Sequence, residues 1–287
     1  MKKIYGFQWQ INEYLSVCRL DGPTVKQQMK YALVHGKKKE AHKGAQGICP
    51  GCGATMISKC GEVKIHHWAH KGNRNCDHWW ENETEWHRAW KGHFPEEWQE
   101  VVQFGENGEK HIADVKTKTG LVLEFQHSYL NPEERRSRNT FYPKLAWVVD
   151  GTRRLKDRSR FIKVIQEGSS LPIKDIRISC TDFPEESRIL EEWVNCSVPV
   201  FFDFGEQERM WFLIPSSTLD RAYLVRIARD YFVTLCTNGS LEEVTGNITL
   251  LIHEYQNFLH KRNQMALNRR ANQMLARKRT KYRRRRF

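Results

Sequence analysis

The fold is decided by the stretch His111-Ile-Ala-Asp114-Val-Lys-Thr-Lys-Thr-Gly120-Leu-Val-Leu-Glu124-Phe-Gln126. Its residues alternate as they do in β-strands, and Thr119-Gly120 is a turn pair, so the stretch predicts a β-hairpin. Asp114 and Glu124 each share a strand face with apolar residues. A carboxylate among apolar neighbours normally has a partner or a metal, and we therefore expect these two to ligate one cation. The alternative is a hairpin whose polar face is simply solvated.

The net charge of +13 over 287 residues is concentrated at the C-terminus. Residues 261–287 hold twelve Lys or Arg and no Asp or Glu, which leaves residues 1–260 with a net charge of only +1. In the densest basic runs of this C-terminal tail, the positive charges repel one another. We therefore expect these runs to be disordered unless they bind a polyanion such as DNA. The predicted nucleic-acid contacts in this tail are Arg277, Lys278, Arg279, Arg283, Arg284, Arg285 and Arg286. The alternative is a solubilising or localisation tail.

Cysteines and histidines form a metal-binding pattern near the N-terminus. Cys49-Pro-Gly-Cys52 is followed, after fourteen residues, by His67-Trp-Ala-His70. Two such pairs complete a closed tetrahedral site, so we predict a structural Zn²⁺ held by Cys49, Cys52, His67 and His70. His66 or Cys76 could replace one histidine, and Cys60 is the least suited of the nearby cysteines. A redox Cys-x-x-Cys is disfavoured, because Cys52 precedes a predicted strand at 54–58 rather than opening a helix.

A predicted helix precedes the hairpin. Residues 79–94 have helical periodicity, with Glu83 on the face that carries the tryptophans and His87 one turn further on. A carboxylate among tryptophans is costly unless it is paired, so Glu83 and His87 are either a buried pair that fixes the helix or part of a catalytic site.

A strand at 99–104 leads into the hairpin, and a second helix follows it. Asn131 can cap that helix and Pro132 suits its first turn. Residues predicted to share one face of it, where they could bind phosphate, are Arg135, Arg138 and Tyr142. A buried strand at 145–149 completes the order helix, three strands, helix, strand.

These motifs together resemble the competence protein CoiA family, a branch of the PD-(D/E)xK nuclease-like superfamily. The resembling motifs lie within residues 31–150 and are Cys49-Pro-Gly-Cys52, His67-Trp-Ala-His70, Glu83-Thr-Glu-Trp-His87, Ala113-Asp114-Val115, Glu124-Phe-Gln126-His-Ser128, and Arg138 with Tyr142. The resemblance implies an α/β protein with a three-layer nuclease-like core, in which Asp114 and Glu124 bind Mg²⁺ or Mn²⁺. Glu83 would be the helix carboxylate near the metal.

The resemblance also implies that Gln126 takes the place of the superfamily's lysine. Glutamine is neutral and cannot stabilise the charge that develops on an attacked phosphate. Lys116 or Arg138 could supply that charge instead. The implied reaction is hydrolysis of a phosphodiester, with a cation on Asp114 and Glu124 that activates water and leaves a 5′-phosphate. The implied catalytic set is Asp114, Glu124, Gln126, Glu83 and His87.

We expect four units along the chain: a hairpin and zinc-finger-like segment at 1–76, the nuclease-like core at 77–155, an α/β region at 156–240, and a long helix with the basic tail at 241–287. The region after the core is expected to be mixed and mainly helical. The amphipathic pattern of 241–275 could dock on DNA or on another subunit, including a second copy. No run of 18 apolar residues and no signal-peptide core is present, so we expect a cytoplasmic protein without a membrane partner.

The function that these patterns favour is a Mg-dependent DNA nuclease that acts on incoming or foreign DNA, in competence-related processing or in defence. Single-stranded and double-stranded DNA both remain open as substrates, and so does RNA. The alternative is a catalytically inactive DNA-binding protein that retains a nuclease fold. A third reading, an HNH-type nuclease that uses His66 and His67, would make Asp114 dispensable.

Overall fold

The chain, in a computed structural model, is described for residues 27–72, 76–106, 108–173, 176–215, 217–218 and 220–284, with the backbone alone for 172–173 and 276–284. Arg285 and Arg286 of the predicted tail lie outside the described residues, and so do residues 1–26 of the predicted N-terminal unit. The described residues form two sheets and six α-helices, so the predicted α/β class is confirmed.

A six-stranded antiparallel sheet occupies the N-terminal part, in the order β1-β6-β5-β4-β2-β3. Its strands are β1 (Gln28–Met29), β2 (Tyr31–Val34), β3 (Lys37–Glu40), β4 (Gln46–Ile48), β5 (Thr55–Lys59) and β6 (His67–His70). The turn between β2 and β3 has positive φ at His35 and Gly36, as a two-residue turn of the type common in β-hairpins requires. Its core is small and centres on Trp68, Met56 and Met29.

A nine-stranded sheet forms the rest of the fold, in the order β11-β12-β15-β14-β13-β10-β9-β8-β7. Its strands are β7 (Gln99–Phe104), β8 (Lys110–Lys116), β9 (Val122–Gln126), β10 (Leu145–Asp150), β11 (Ser169–Ile173), β12 (Ile176–Thr181), β13 (Val200–Asp203), β14 (Arg209–Leu213) and β15 (Ala222–Ala228). Central β10 runs parallel to both β9 and β13, and the other pairs are antiparallel. One sheet therefore continues from the predicted nuclease-like core into the region at 156–240.

Helices cover both faces of this large sheet. They are α1 (Glu85–Lys91), α2 (Pro132–Phe141), α3 (Asp157–Glu167), α4 (Arg188–Trp193), α5 (Arg229–Asn238) and α6 (Leu241–Arg284). Residues of α1, α5 and α6 share one apolar cluster with Ala146 and Val148 of β10, whereas residues of α2, α3 and α4 share a second cluster with Trp147 and Val149. Because neighbouring residues of a strand point to opposite faces, the arrangement has three layers.

Helix α1 is shorter than the predicted helix over 79–94. It begins after Thr84, whose hydroxyl accepts a hydrogen bond from the His87 amide while the His87 ring accepts one from the Thr84 amide. This reciprocal cap fixes the start of the helix. Trp79 therefore lies outside the helix and packs in the second apolar cluster, whereas Trp90 packs in the first. The prediction that both tryptophans and Glu83 share one helix face is wrong.

The C-terminal helix α6 continues through Arg284, so its backbone includes Arg277, Lys278, Arg279, Arg283 and Arg284. We expected these runs to be disordered, but their described residues are helical. Lys and Arg are good helix formers, and cations are favourable at a helix C-terminus. Ile248 and Ile252 are buried near the start of the helix, whereas residues 260–275 are exposed. Among the described residues, no helix has the length and apolar composition needed to span a bilayer.

Candidate active site and metal centre

Asp114 and Glu124 face each other across the hairpin that β8 and β9 form. Val115 pairs with Leu123 and Lys116 with Val122, so the same antiparallel register sets Asp114 opposite Glu124 on one face. The turn at Gly120 has a positive φ of 85° and a hydrogen bond from the Gly120 amide to the Thr117 carbonyl. The structure thus brings together the two carboxylates that the sequence singles out, and both line one pocket.

Glu124 is almost completely enclosed, with 5% of its surface exposed. Its Oε2 accepts a hydrogen bond from Nη1 of Arg138 at 3.0 Å, whereas its buried Oε1 has no hydrogen-bond partner among the described residues. Burial and the neighbouring Asp114 carboxylate raise the pKa of Glu124 to about 8, although Arg138 opposes them. A buried carboxylate oxygen without a donor, beside a second carboxylate, fits a cation site.

A cluster of three carboxylates surrounds Lys91, the last residue of α1. Its ammonium lies 2.6 Å from Glu83 Oε2, 3.0 Å from Glu100 Oε1 and 3.8 Å from Asp114 Oδ1. Glu83 therefore stands near the candidate cation site, as predicted, but it pairs with Lys91 rather than with His87. These carboxylates raise the pKa of Lys91 although its burial alone would lower it.

Glu100 joins this cluster to the N-terminal sheet. Its two carboxylate oxygens accept hydrogen bonds from the backbone amides of Lys30 and Tyr31, at 2.8 and 2.9 Å. Sequence reasoning missed Glu100 and underrated Lys91. The contact between Lys30 and Glu100 joins residues 70 positions apart, which a pattern within one strand or one helix does not reveal.

Gln126 and His87 share Glu81 as a partner. Nε2 of Gln126 donates to Glu81 Oε2 at 2.9 Å, and Nε2 of His87 lies 3.6 Å from the same oxygen. His87 Nε2 also donates to the Phe125 carbonyl at 3.1 Å. Although burial alone would lower it, the pKa of His87 is raised by Glu81 and Asp114. Glu81 lies before the start of α1, in the segment that leads into the helix.

The predicted phosphate-binding face of α2 packs against protein groups. Arg138 and Tyr142 are buried, and Arg138 donates to Glu124, to Glu134 and to the Trp79 carbonyl. Arg135 donates to the Glu192 carbonyl. In the structure, therefore, Arg138 acts as the partner of Glu124, and a contact of this face with DNA stays a prediction. Asn131 caps the helix through the Glu133 amide, as predicted.

Replacement of Arg138 tests this pairing. Arg138→Met leaves Glu124 buried without its cation, so we expect the free energy of unfolding to fall by about 3 kcal/mol. Without Arg138, the pKa of Glu124 in the folded chain rises further above its value in the unfolded chain. Stability falls as pH increases between those two pKa values, because the unfolded chain releases the proton first. The variant should therefore lose more stability, relative to wild type, near about pH 9 than near about pH 6. Urea denaturation at both pH values measures this. The control is Arg136→Met, at an exposed position of the same helix; an equal loss in both variants would contradict the pairing.

The four cysteine and histidine side chains of the metal centre are Cys49, Cys52, His70 and Cys76, whose ligand atoms all lie within 4.8 Å of one another. Cys49 Sγ is 3.6 Å from Cys76 Sγ, and Cys52 Sγ is 3.3 Å from His70 Nε2. A tetrahedral Zn²⁺ with Zn–S bonds of about 2.3 Å would hold its sulfur ligands roughly 3.8 Å apart. The hydrogen bond from Cys76 lowers the pKa of Cys49 to about 5, which favours a thiolate. The cluster could hold a metal ion such as zinc.

His67 is not in this cluster, which corrects the predicted ligand set. His67 and His70 lie in β6, where side chains three positions apart point to opposite faces of the sheet. The His67 ring instead bonds the Ile65 carbonyl through Nδ1, at 2.9 Å. Cys76 takes the fourth position, as the sequence had left open. In a strand, a two-residue spacer cannot bring both histidines to the same side of the sheet.

Comparison with known families bears on this N-terminal part. Residues 33–78 match the family model described as competence protein CoiA, N-terminal domain. Over these residues the chain is similar to the CoiA N-terminal domain. This match confirms the predicted resemblance to the CoiA-like family, and it includes all four residues of the metal cluster. No curated protein and no solved structure matches the chain.

The segment that matches the CoiA N-terminal domain, residues 33–78, contacts the hairpin that carries Asp114. Asp77, which follows the cluster residue Cys76, accepts hydrogen bonds from the Ile112 amide at 2.8 Å and from Nδ1 of His111 at 2.9 Å. Lys110 donates to the carbonyl of Gly51, between the first two cysteines, at 2.5 Å. Both ends of the metal cluster are therefore bonded to β8.

Proposed function

We propose that this chain is a nuclease that uses a divalent cation, Mg²⁺ or Mn²⁺, to hydrolyse phosphodiester bonds of incoming or foreign DNA. The CoiA N-terminal domain suggests a competence-related role. The observation that carries the proposal is the pair Asp114 and Glu124, opposite each other on one strand face with a buried Glu124 oxygen that lacks a donor. Carboxylate oxygens are hard ligands suited to Mg²⁺, and this pair offers them side by side.

In this proposal Asp114 and Glu124 would hold the cation, and Glu83, which lines the same pocket, would be a further carboxylate near it. A bound Mg²⁺ would supply a water of lowered pKa and neutralise charge on the attacked phosphate. The chain's own residues orient these ligands. The Phe125 amide donates to Asp114 Oδ2 at 2.9 Å, and Arg138 fixes one oxygen of Glu124. His87 and Gln126 hold Glu81, and with it the chain at His127 and Ser128, at the rim.

The basic C-terminal helix supports a nucleic-acid substrate. Twelve Lys or Arg without an acidic residue in 261–287 favour phosphate contacts that do not depend on sequence and that weaken as salt increases. The alternative function, a DNA-binding protein without turnover, is favoured by one observation. Gln126 is neutral and its amide is already bonded to Glu81, so it brings no positive charge to a phosphate.

Cleavage by the purified full chain tests the proposal. We expect Mg²⁺ or Mn²⁺ to support cutting of plasmid, linear or single-stranded DNA, EDTA to stop it, and the new ends to carry a 5′-phosphate. The control for contaminating nuclease is the double variant Asp114→Asn with Glu124→Gln, purified in parallel. If the wild-type chain cuts no form of DNA in either cation, the nuclease proposal is wrong. Salt-sensitive DNA binding without cutting would then favour the alternative, and cutting confined to RNA would change the substrate.

A further inference from the structure

The ammonium group of Lys91 is buried inside the fold, and only 1% of its side chain is exposed. A buried lysine is unusual unless it is paired, and this one touches three carboxylates, those of Glu83, Glu100 and Asp114. The same four side chains line the pocket that holds Glu124. Lys91 therefore belongs to the candidate cation site as well as to helix α1.

The charges around Lys91 do not balance. Three carboxylates share one ammonium, and Arg88, the other basic side chain near Glu83, approaches it at 3.5 Å from a more exposed position. Glu83 Oε1 is the oxygen that Arg88 Nε approaches without forming a hydrogen bond, whereas Glu124 Oε1 is buried without a hydrogen-bond partner among the described residues. A buried Glu124 oxygen without a donor, next to three carboxylates that share one buried ammonium, indicates room for further positive charge.

The two other basic residues that the sequence suggested, Lys116 and Arg138, have partners other than Asp114. Lys116 Nζ lies 2.5 Å from Gln103 Oε1, and Arg138 is used by Glu124, by Glu134 and by the Trp79 carbonyl. Within the described part of the chain, the ion-pair partner of Asp114 is Lys91. The two sources of charge suggested from the sequence, Lys116 and Arg138, are thus not the ones beside Asp114.

We propose that Lys91 is the built-in counter-ion of the cation site. Its ammonium holds Glu83, Glu100 and Asp114 together while no divalent cation is bound, and it stays beside Asp114 and weakens cation binding when one enters. Lys91 is a positioning residue, because it acts through these carboxylates. The inference rests on the proposed cation site and does not require that DNA is cut.

Mn²⁺ binding and thermal unfolding of the full chain test this role. Without divalent cation, Lys91→Gln is expected to melt about 5 °C or more below wild type, because three buried carboxylates lose their counter-ion. Saturating Mn²⁺ is expected to restore most of that difference. Calorimetry is expected to give Lys91→Gln a Kd for Mn²⁺ at least about tenfold tighter than wild type, since a nearby unit charge no longer repels the cation.

Two further variants make the result specific. Lys91→Arg keeps the charge and is expected to bind Mn²⁺ like wild type, and the control Lys116→Gln, on the neighbouring strand, is expected to change neither quantity. A merely structural lysine would give the opposite pattern, in which Lys91→Gln binds Mn²⁺ as weakly as wild type or more weakly and Mn²⁺ does not restore its stability; that pattern overturns the proposal. Wild type that binds no Mn²⁺ overturns it too. Wild type that binds Mn²⁺ without cutting DNA overturns only the nuclease function.

Discussion

Loss of the metal ion from the Cys49, Cys52, His70 and Cys76 cluster is expected to unfold the N-terminal sheet. That sheet has a small apolar core around Trp68 and Met56, which by itself stabilises a segment of this size poorly. Structural zinc binding contributes on the order of 10 kcal/mol to folding in small domains, which exceeds what such a core supplies. The sheet should therefore depend on its ion.

Zinc content and amide hydrogen exchange measure this dependence. We expect about one zinc per wild-type chain and loss of that zinc in Cys52→Ser and Cys76→Ser, with fast exchange at the Met56 and Trp68 amides. The matched controls are Cys60→Ser, at a cysteine outside the cluster, and His67→Ala, at the histidine whose ring bonds the Ile65 carbonyl. Both should keep zinc. Zinc lost from His67→Ala and kept in Cys76→Ser would restore the ligand set that the spacing first suggested.

Single replacement of Asp114 or Glu124 is expected to abolish cation-dependent cleavage. Asp114→Asn keeps an oxygen for the Phe125 amide, and Glu124→Gln keeps one for Arg138, so each variant loses a cation ligand but retains the hydrogen bond. Metal-ion catalysis is worth several kcal/mol, so we expect the rate to fall by roughly a thousandfold or more. Mn²⁺ binding should weaken in parallel.

The comparison needs a carboxylate that is outside the pocket. Glu85 is exposed in the first turn of α1, and Glu85→Gln should cut as fast as wild type. Thermal unfolding of all three variants should show folded protein at the assay temperature, which separates lost chemistry from lost structure. Cleavage by Asp114→Asn at the wild-type rate would exclude the proposed site and favour a catalytic centre elsewhere, such as the HNH-type reading that leaves Asp114 dispensable.

The sequence was most informative where the determining contacts are local. The turn at Gly120, the Asn131 cap with Pro132 in the first turn, and the alternation around Asp114 each depend on residues within a few positions, and the structure has all three. The Cys49–Cys52 pair belongs to the same class, because its spacing alone brings two thiols together.

The sequence was less informative where the partner is distant or the element type decides the geometry. Helical periodicity over 79–94 could not reveal that Thr84 caps α1, and Glu83 was therefore assigned to a helix that in fact begins after it. Lys91 has no apolar pattern that marks it as buried; its environment comes from β7 and β8, which fold over it. His67 failed as a ligand for a related reason, since a two-residue spacer suits a turn but not a strand.

The parallel pairing of β10 with β13 limits how this chain can be divided. Val148 and Val149 of β10 bond to β9 on one side and to Phe201 and Phe202 of β13 on the other. A fragment that ends at residue 155 would leave a fully buried strand as an open, apolar edge, which invites pairing with other chains and aggregation. The acidic pocket is thus carried by a sheet that is complete only when the C-terminal half is attached, and any shorter relative must cover that edge with another segment or a second subunit.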